Sequence, residues 1–154
     1  MYGFMLLVHS WMRWLVLILA AMAVLRAITG MSGGRHWRDA DDRGSLFLSI
    51  AIDVQFVVGL VLYLVLSPTT KMAFADMAVA MRTSALRYWA VEHVSMMLLA
   101  LVFVHVGRVS IRRAVESASK HRRAAIYFGL ALLLVIAGTP WPMMPNGRPW
   151  LRIG

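Results

Sequence analysis

The chain has 154 residues, of which 60% are hydrophobic and 15% charged, and its formal net charge is +9. Soluble domains are about 45–50% apolar and about 25% charged, and a globule of this size cannot bury so much apolar surface in one core. The absence of cysteine excludes disulfides, iron–sulfur clusters and thiol nucleophiles. The basic residues flank apolar runs, which indicates membrane topology and no nucleic-acid partner. The composition predicts a single domain embedded in lipid.

Four apolar stretches follow one another along the chain, each close to the ~20 residues that a bilayer requires. They span residues 4–28, 46–66, 88–107 and 124–139. Because lipid cannot satisfy open backbone groups, each should be a helix. The first stretch has no preceding basic residue, and His9 and Arg13 interrupt it, unlike a cleaved signal peptide. The predicted fold class is an all-α, four-transmembrane-helix bundle.

The connections carry two further signals. In residues 70–87 the spacing of apolar residues predicts an interfacial helix with one face against the membrane. After the fourth stretch, the prolines predict a non-helical tail whose tryptophans lie at the headgroup level. His36 and His121 lie in loops among arginines, so we expect both to be solvated surface residues.

The distribution of basic residues predicts the orientation. Ten Lys or Arg residues lie in or beside the first and third connections: Arg26, Arg35, Arg38, Arg43, Arg108, Arg112, Arg113, Lys120, Arg122 and Arg123. Five lie in the second connection and the tail: Lys71, Arg82, Arg87, Arg148 and Arg152. Because the more basic side usually faces the cytoplasm, both termini are expected on the non-cytoplasmic side of a bacterial inner membrane.

Two histidines at matching depth suggest a cofactor. Ionisable residues inside spans are expensive and usually functional. His9 and His93 each lie about five residues into parallel helices, so both are roughly 7–8 Å below the same surface. Axial ligation of one b-type haem needs such a pair of imidazoles. The sequence therefore predicts one haem b between the first and third helices, with His9 and His93 as iron ligands.

The neighbouring residues leave alternatives open. Arg13 lies one turn after His9 and needs an anion, either Glu92 in a bridge or a haem propionate. Three further groups near the outer surface are candidates for the propionates: Arg87, Tyr88 and Lys71. Small residues recur along the face of each helix that carries its histidine. They either leave room for a flat macrocycle or allow the two helices to pack closely without one.

A second haem is not expected. His105 lies about 18 Å deeper than His93, where no histidine partner is found. Asp53, Gln55 and His105 instead form a predicted polar cluster, serving protons or a quinone headgroup, or clamping helices together.

Several segments resemble a group of small four-helix bacterial membrane proteins described as cytochrome b-like. The resemblance lies in residues 9–14, in residues 53–55 with Gly59, Leu60 and Tyr63, and in residues 87–93 and 137–142. It implies a haem-bearing or electron-transfer membrane subunit, with His9 and His93 at the matching positions. In that pattern the position of Asp53 can carry histidine.

The leading hypothesis is a membrane b-type cytochrome subunit that exchanges electrons with a quinone or another redox subunit near the outer face. The first alternative is a non-catalytic accessory subunit of a respiratory or photosynthetic complex, in which the intramembrane polar residues form a clamp. The second is a carrier of a metal ion or a small solute, and among metals copper is the candidate, because histidine and methionine suit Cu(I). Its candidate ligands are His9, Met12, His93, Met96 and Met97.

Overall fold

A computed structural model describes residues 1–151, and within that range the chain is helical without strands. Arg152, counted above, lies outside the described residues. The α-helices are α1 (Tyr2–Ser32), α2 (Asp39–Val61), α3 (Pro68–Ala75), α4 (Met77–Arg82), α5 (Ser84–Arg87), α6 (His93–Arg113) and α7 (Ser117–Gly138). Two π-helical turns, Leu62–Leu66 and Tyr88–Glu92, continue α2 and lead into α6.

Four helical segments are long and apolar enough to cross a membrane. They are Tyr2–Ser32, Asp39–Leu66, Ser84–Arg113 and Ser117–Gly138. The chain is therefore an all-α, multi-pass membrane protein, as predicted. The helices extend beyond the apolar runs because their polar ends also favour helix. The first turn of α2, for example, contains three aspartates, which suit the positive end of the helix dipole.

The four spanning segments form a bundle in which α1 contacts α2 and α7, and α6 contacts the same two helices. Consequently α1 and α6 lie diagonally opposite each other and run in the same direction. We call the end that carries the N-terminus, residues 67–83 and the tail the terminal end, and the other end the loop end.

The small residues on α1 and α6 serve helix packing. Ala20 and Ala27 on α1 are each 2% exposed, and Ala100 on α6 is fully buried. A side chain at Gly107 would meet Tyr127 of α7 at 2.5 Å, so glycine there lets α6 and α7 approach closely. Between His9 and His93 and the opposite end of the bundle, these small residues are packed and leave no room for a macrocycle.

The second connection differs from the prediction. In place of one interfacial helix there are three short ones, α3 to α5, separated at Asp76 and Thr83. The carboxylate of Asp76 accepts a hydrogen bond from the Val79 amide at 3.0 Å and so begins a new helix. Ser67 similarly caps α3 through the Thr70 amide at 3.3 Å. The tail after Gly138 is non-helical, as predicted.

His121 is not the surface residue that the sequence suggested. It lies in α7 with no solvent exposure. One ring nitrogen, Nε2, is 3.0 Å from the Arg35 carbonyl oxygen, and the Trp37 ring lies beside it at 4.9 Å. The space for the imidazole exists because residue 30 of α1 is glycine.

An ion-pair cluster joins α1 to α2 at the loop end. The buried carboxylate of Asp41 is 2.8 Å from the Arg26 guanidinium and 2.9 Å from that of Arg35. It also accepts the Arg38 backbone N–H at 3.0 Å, as an N3 acidic residue does in a capping box. The hydrogen bond to Asp41 raises the pKa of Arg35.

Candidate functional site

A cavity opens at the terminal end of the bundle. Its volume is about 140 Å³. Its lining comes from α1, α2, the first π-turn, α3, α6, the second π-turn and the tail, and includes both His9 and His93. The sequence-predicted histidine pair therefore lies in one cavity.

The two imidazoles face each other across the bundle diagonal. Their ring centroids are 6.3 Å apart, with an angle of 71° between the ring planes. When one metal ion joins two imidazoles in line, bonds of about 2.0–2.1 Å place the ring centres about 6.3 Å apart. The observed separation of the ring centroids is close to that distance.

His93 is held in a defined orientation. Its Nδ1 lies 2.7 Å from the carbonyl oxygen of Gly138, at the end of α7. A metal-binding histidine typically donates its other ring N–H to a carbonyl in this way, which leaves Nε2 for the metal. The Tyr88 hydroxyl donates to the same carbonyl at 2.8 Å, and Trp89 packs on the His93 ring at 5.6 Å.

His9 has an unsatisfied buried nitrogen. Its Nδ1 is buried and makes no hydrogen bond within the described part of the chain. The side-chain amide of Gln55 donates to the His9 carbonyl at 3.1 Å and lies 3.4 Å from Nε2. A Cβ at position 59 would lie 3.1 Å from the His9 ring, so the glycine at this position gives the ring the space that it occupies. A buried polar atom without a partner calls for an explanation, and a bound group supplies one.

The tail lies over Arg13. The Arg13 guanidinium donates to the Trp150 carbonyl at 2.8 Å, and the Trp14 indole donates to the same oxygen at 2.9 Å. Arg13 and Arg148 both line the cavity, and Arg148 stacks over the Trp89 ring at 5.1 Å. These two cations are therefore placed to meet an anionic group in the cavity mouth.

The proposed bridge between Arg13 and Glu92 is not formed. Glu92 pairs with Arg87 at 2.7 Å, and both side chains are about 40% exposed, at 41% and 39%. Arg87 is not among the residues that line the cavity, nor are Tyr88 and Lys71. Of the groups expected to meet a propionate, Arg13 alone lines the cavity, and Arg148 of the tail lines it as well.

The residues of the predicted polar cluster, Asp53, Gln55 and His105, lie in two separate places. His105 Nε2 lies 2.7 Å from Asp53 Oδ1, and both side chains are about half exposed on the outside of the bundle. Gln55 points instead into the cavity beside His9. Within residues 1–151, no group of three or more His, Asp or Glu side chains is placed to hold a metal ion.

Sequence reasoning missed the contributions of Gln55, Gly59, Arg148 and the Gly138 carbonyl to this cavity. Proximity to a histidine at the same depth is the signal that would have found Gly59. A carbonyl acceptor and a tail arginine leave no such signal. Comparisons with known protein families, curated proteins and solved structures found no match for this chain.

Proposed function

We propose that this protein is a membrane b-type cytochrome subunit in which His9 of α1 and His93 of α6 would hold the iron of one haem b. The observation that carries the proposal is the 6.3 Å separation of the two imidazole centroids inside one cavity. The haem, when bound, supplies one-electron chemistry.

The chain's own residues have separate roles in this proposal. The Gly138 carbonyl fixes the His93 ring, and Gln55 and Gly59 fix the position of His9. Arg13 and Arg148 offer charge-assisted hydrogen bonds to the propionates at the cavity mouth. Burial and the apolar part of the lining are among the factors that would set a haem potential here.

The orientation and the partners belong to the same proposal. We infer that both termini lie on the non-cytoplasmic side of a bacterial inner membrane, because the loop end carries most of the basic residues. The cavity is at the terminal end, so electrons would be exchanged near the outer face. A quinone or another membrane redox subunit is the proposed partner.

Two rival functions receive less support. An accessory subunit with a structural clamp requires hydrogen bonds among His9, Arg13, Glu92 and His93. Instead, Arg13, Glu92 and His93 bind other groups, and His9 Nδ1 has no partner among the described residues. A copper site would use the two histidines and Met97, which also lines the cavity. The cavity is far larger than a single ion needs.

An optical spectrum of the protein purified from haem-replete cells tests the proposal. We expect a b-type reduced-minus-oxidised spectrum that is lost in His9→Ala and in His93→Ala. His36→Gln is the control, because this histidine is exposed in the loop between α1 and α2, away from the cavity. Folded, colourless wild-type protein would contradict the haem proposal, and bound copper in that protein would favour the copper site.

A further inference from the structure

Asp53 and His105 form a polar pair on the outside of the bundle, within the membrane-spanning segments. The His105 Nε2 to Asp53 Oδ1 distance is 2.7 Å, and the side chains are 46% and 48% exposed. Asp53 lies near the middle of the span Asp39–Leu66. Ionisable residues inside spans almost always face the bundle interior or a water-filled cavity and pair with one another or with backbone carbonyls. Asp53 and His105 are paired but face outward, so a second protein surface would shield them from lipid tails.

We propose that a second copy of this chain covers the surface formed by Asp53 and His105, and that the protein is a two-fold symmetric dimer through α2 and α6. We call this the pair surface. It also includes exposed aliphatic side chains on the same two helices: Ile50, Val57, Val102 and Val109.

The chemistry of the pair is self-complementary. The internal hydrogen bond uses one carboxylate oxygen and one ring nitrogen. Asp53 retains Oδ2 as an acceptor. His105 retains Nδ1, which is a donor when the ring is an imidazolium and an acceptor when the ring is neutral with Nε2–H bonded to Asp53. In the imidazolium–carboxylate form, each copy offers one donor and one acceptor, side by side. A two-fold axis lets the donor of each copy meet the acceptor of the other, as an isologous interface requires.

The membrane adds a constraint on depth. All copies insert with the same orientation, so a two-fold axis along the membrane normal brings identical residues together at the same level. Asp53 and His105 then face the same pair in the other copy. Val57 and Val102, one helical turn from Asp53 and from His105, are exposed and would pack across this axis. A partner of different sequence would need its own donor and acceptor at this depth.

Disulfide cross-linking in native membranes tests the dimer, because the chain has no cysteine of its own. We expect Val102→Cys to form, on mild oxidation, a species of twice the 17.3 kDa chain mass. Leu133→Cys on α7 is the control. The contacts of Gly107 with Tyr127 and of Gly138 with Met96 place Leu133 near the same depth, and it is 64% exposed.

A second set of variants tests the role of the pair. In the Val102→Cys background, Asp53→Leu with His105→Leu should lower the cross-linked yield about tenfold or more. The swap Asp53→His with His105→Asp keeps both groups and should restore it. The proposal is overturned if Val102→Cys gives no dimer, if Leu133→Cys gives an equal yield, or if the adduct has another mass. Unchanged cross-linking after removal of the pair would show a clamp within one copy, and would also overturn it.

Discussion

His121 occupies the space that a side chain at Gly30 would need, so the burial of this histidine depends on a residue 91 positions earlier in the chain. Nothing in the sequence indicates this burial, because the arginines beside His121 are typical of a solvated helix end. The prediction that Gln55 lies in a cluster with Asp53 and His105 was wrong for a different reason. Gln55 and Asp53 share a depth, but two residues along a helix are about 200° apart around its axis. One points into the cavity and the other points out of the bundle.

The pairing of Glu92 follows from the same geometry. Glu92 precedes His93 by one residue, which corresponds to about 100° around a helix. With His93 directed into the cavity, the carboxylate is directed toward Arg87 instead of Arg13. Depth alone correctly brought His9 and His93 together. Depth along the helix axis, used without the angle around the axis, predicted the wrong partners for Glu92 and Gln55.

Substitution of Gly30 tests the packing around His121. A Cβ at this position would lie 2.3–2.6 Å from three atoms of the imidazole, so the buried ring would have to move. We expect Gly30→Ala to destabilise the protein by about 1–3 kcal/mol, the usual cost of overpacking. Thermal unfolding in detergent measures the change. In Gly129→Ala the new methyl meets nothing within 4 Å, so this control should be neutral or more stable. Equal stability of the two variants would contradict the packing described here.

Among the elements, the long apolar runs predicted the four spanning helices, but nothing in the pattern predicted the π-turns. Hydrophobic spacing cannot distinguish an α-turn from a π-turn of five residues. The second π-turn ends directly before His93, and π-turns are frequent at functional sites. Side-chain hydroxyls satisfy carbonyls in both turns. The Tyr63 hydroxyl donates to the Ala90 carbonyl at 2.6 Å, and Thr70 donates to the Tyr63 carbonyl at 2.7 Å.

Removal of the Tyr63 hydroxyl tests this account of the π-turns. Tyr63→Phe leaves the Ala90 carbonyl without its donor, and Ala90 is only 3% exposed. We expect a loss of about 1–3 kcal/mol in the free energy of unfolding, the cost of an unsatisfied buried polar group. Tyr127→Phe is the control, because its hydroxyl makes no hydrogen bond to another described residue. If both variants unfold at the wild-type temperature, Tyr63 does not hold the π-turn.

At the scale of the whole molecule, composition and hydropathy were sufficient to predict the class, the number of spans and the parallel course of α1 and α6. They did not predict the tail that covers the cavity. The Trp14, Trp141 and Trp150 rings pack together at the terminal end, with centroids 5.3–6.2 Å apart. The prolines indicated only that the tail is non-helical. Its return onto α1 depends on contacts between residues more than 130 positions apart.

Cysteine labelling of intact cells tests the orientation of the whole bundle. Val115 connects α6 to α7 at the loop end and is 94% exposed, whereas Met143 is in the tail and is 73% exposed. The basic residues at the loop end favour its retention in the cytoplasm. We therefore expect a membrane-impermeant maleimide to label Met143→Cys in intact cells, and Val115→Cys only after permeabilisation. The reverse pattern would place the histidine cavity near the cytoplasmic face, where the electron partners would then have to be sought.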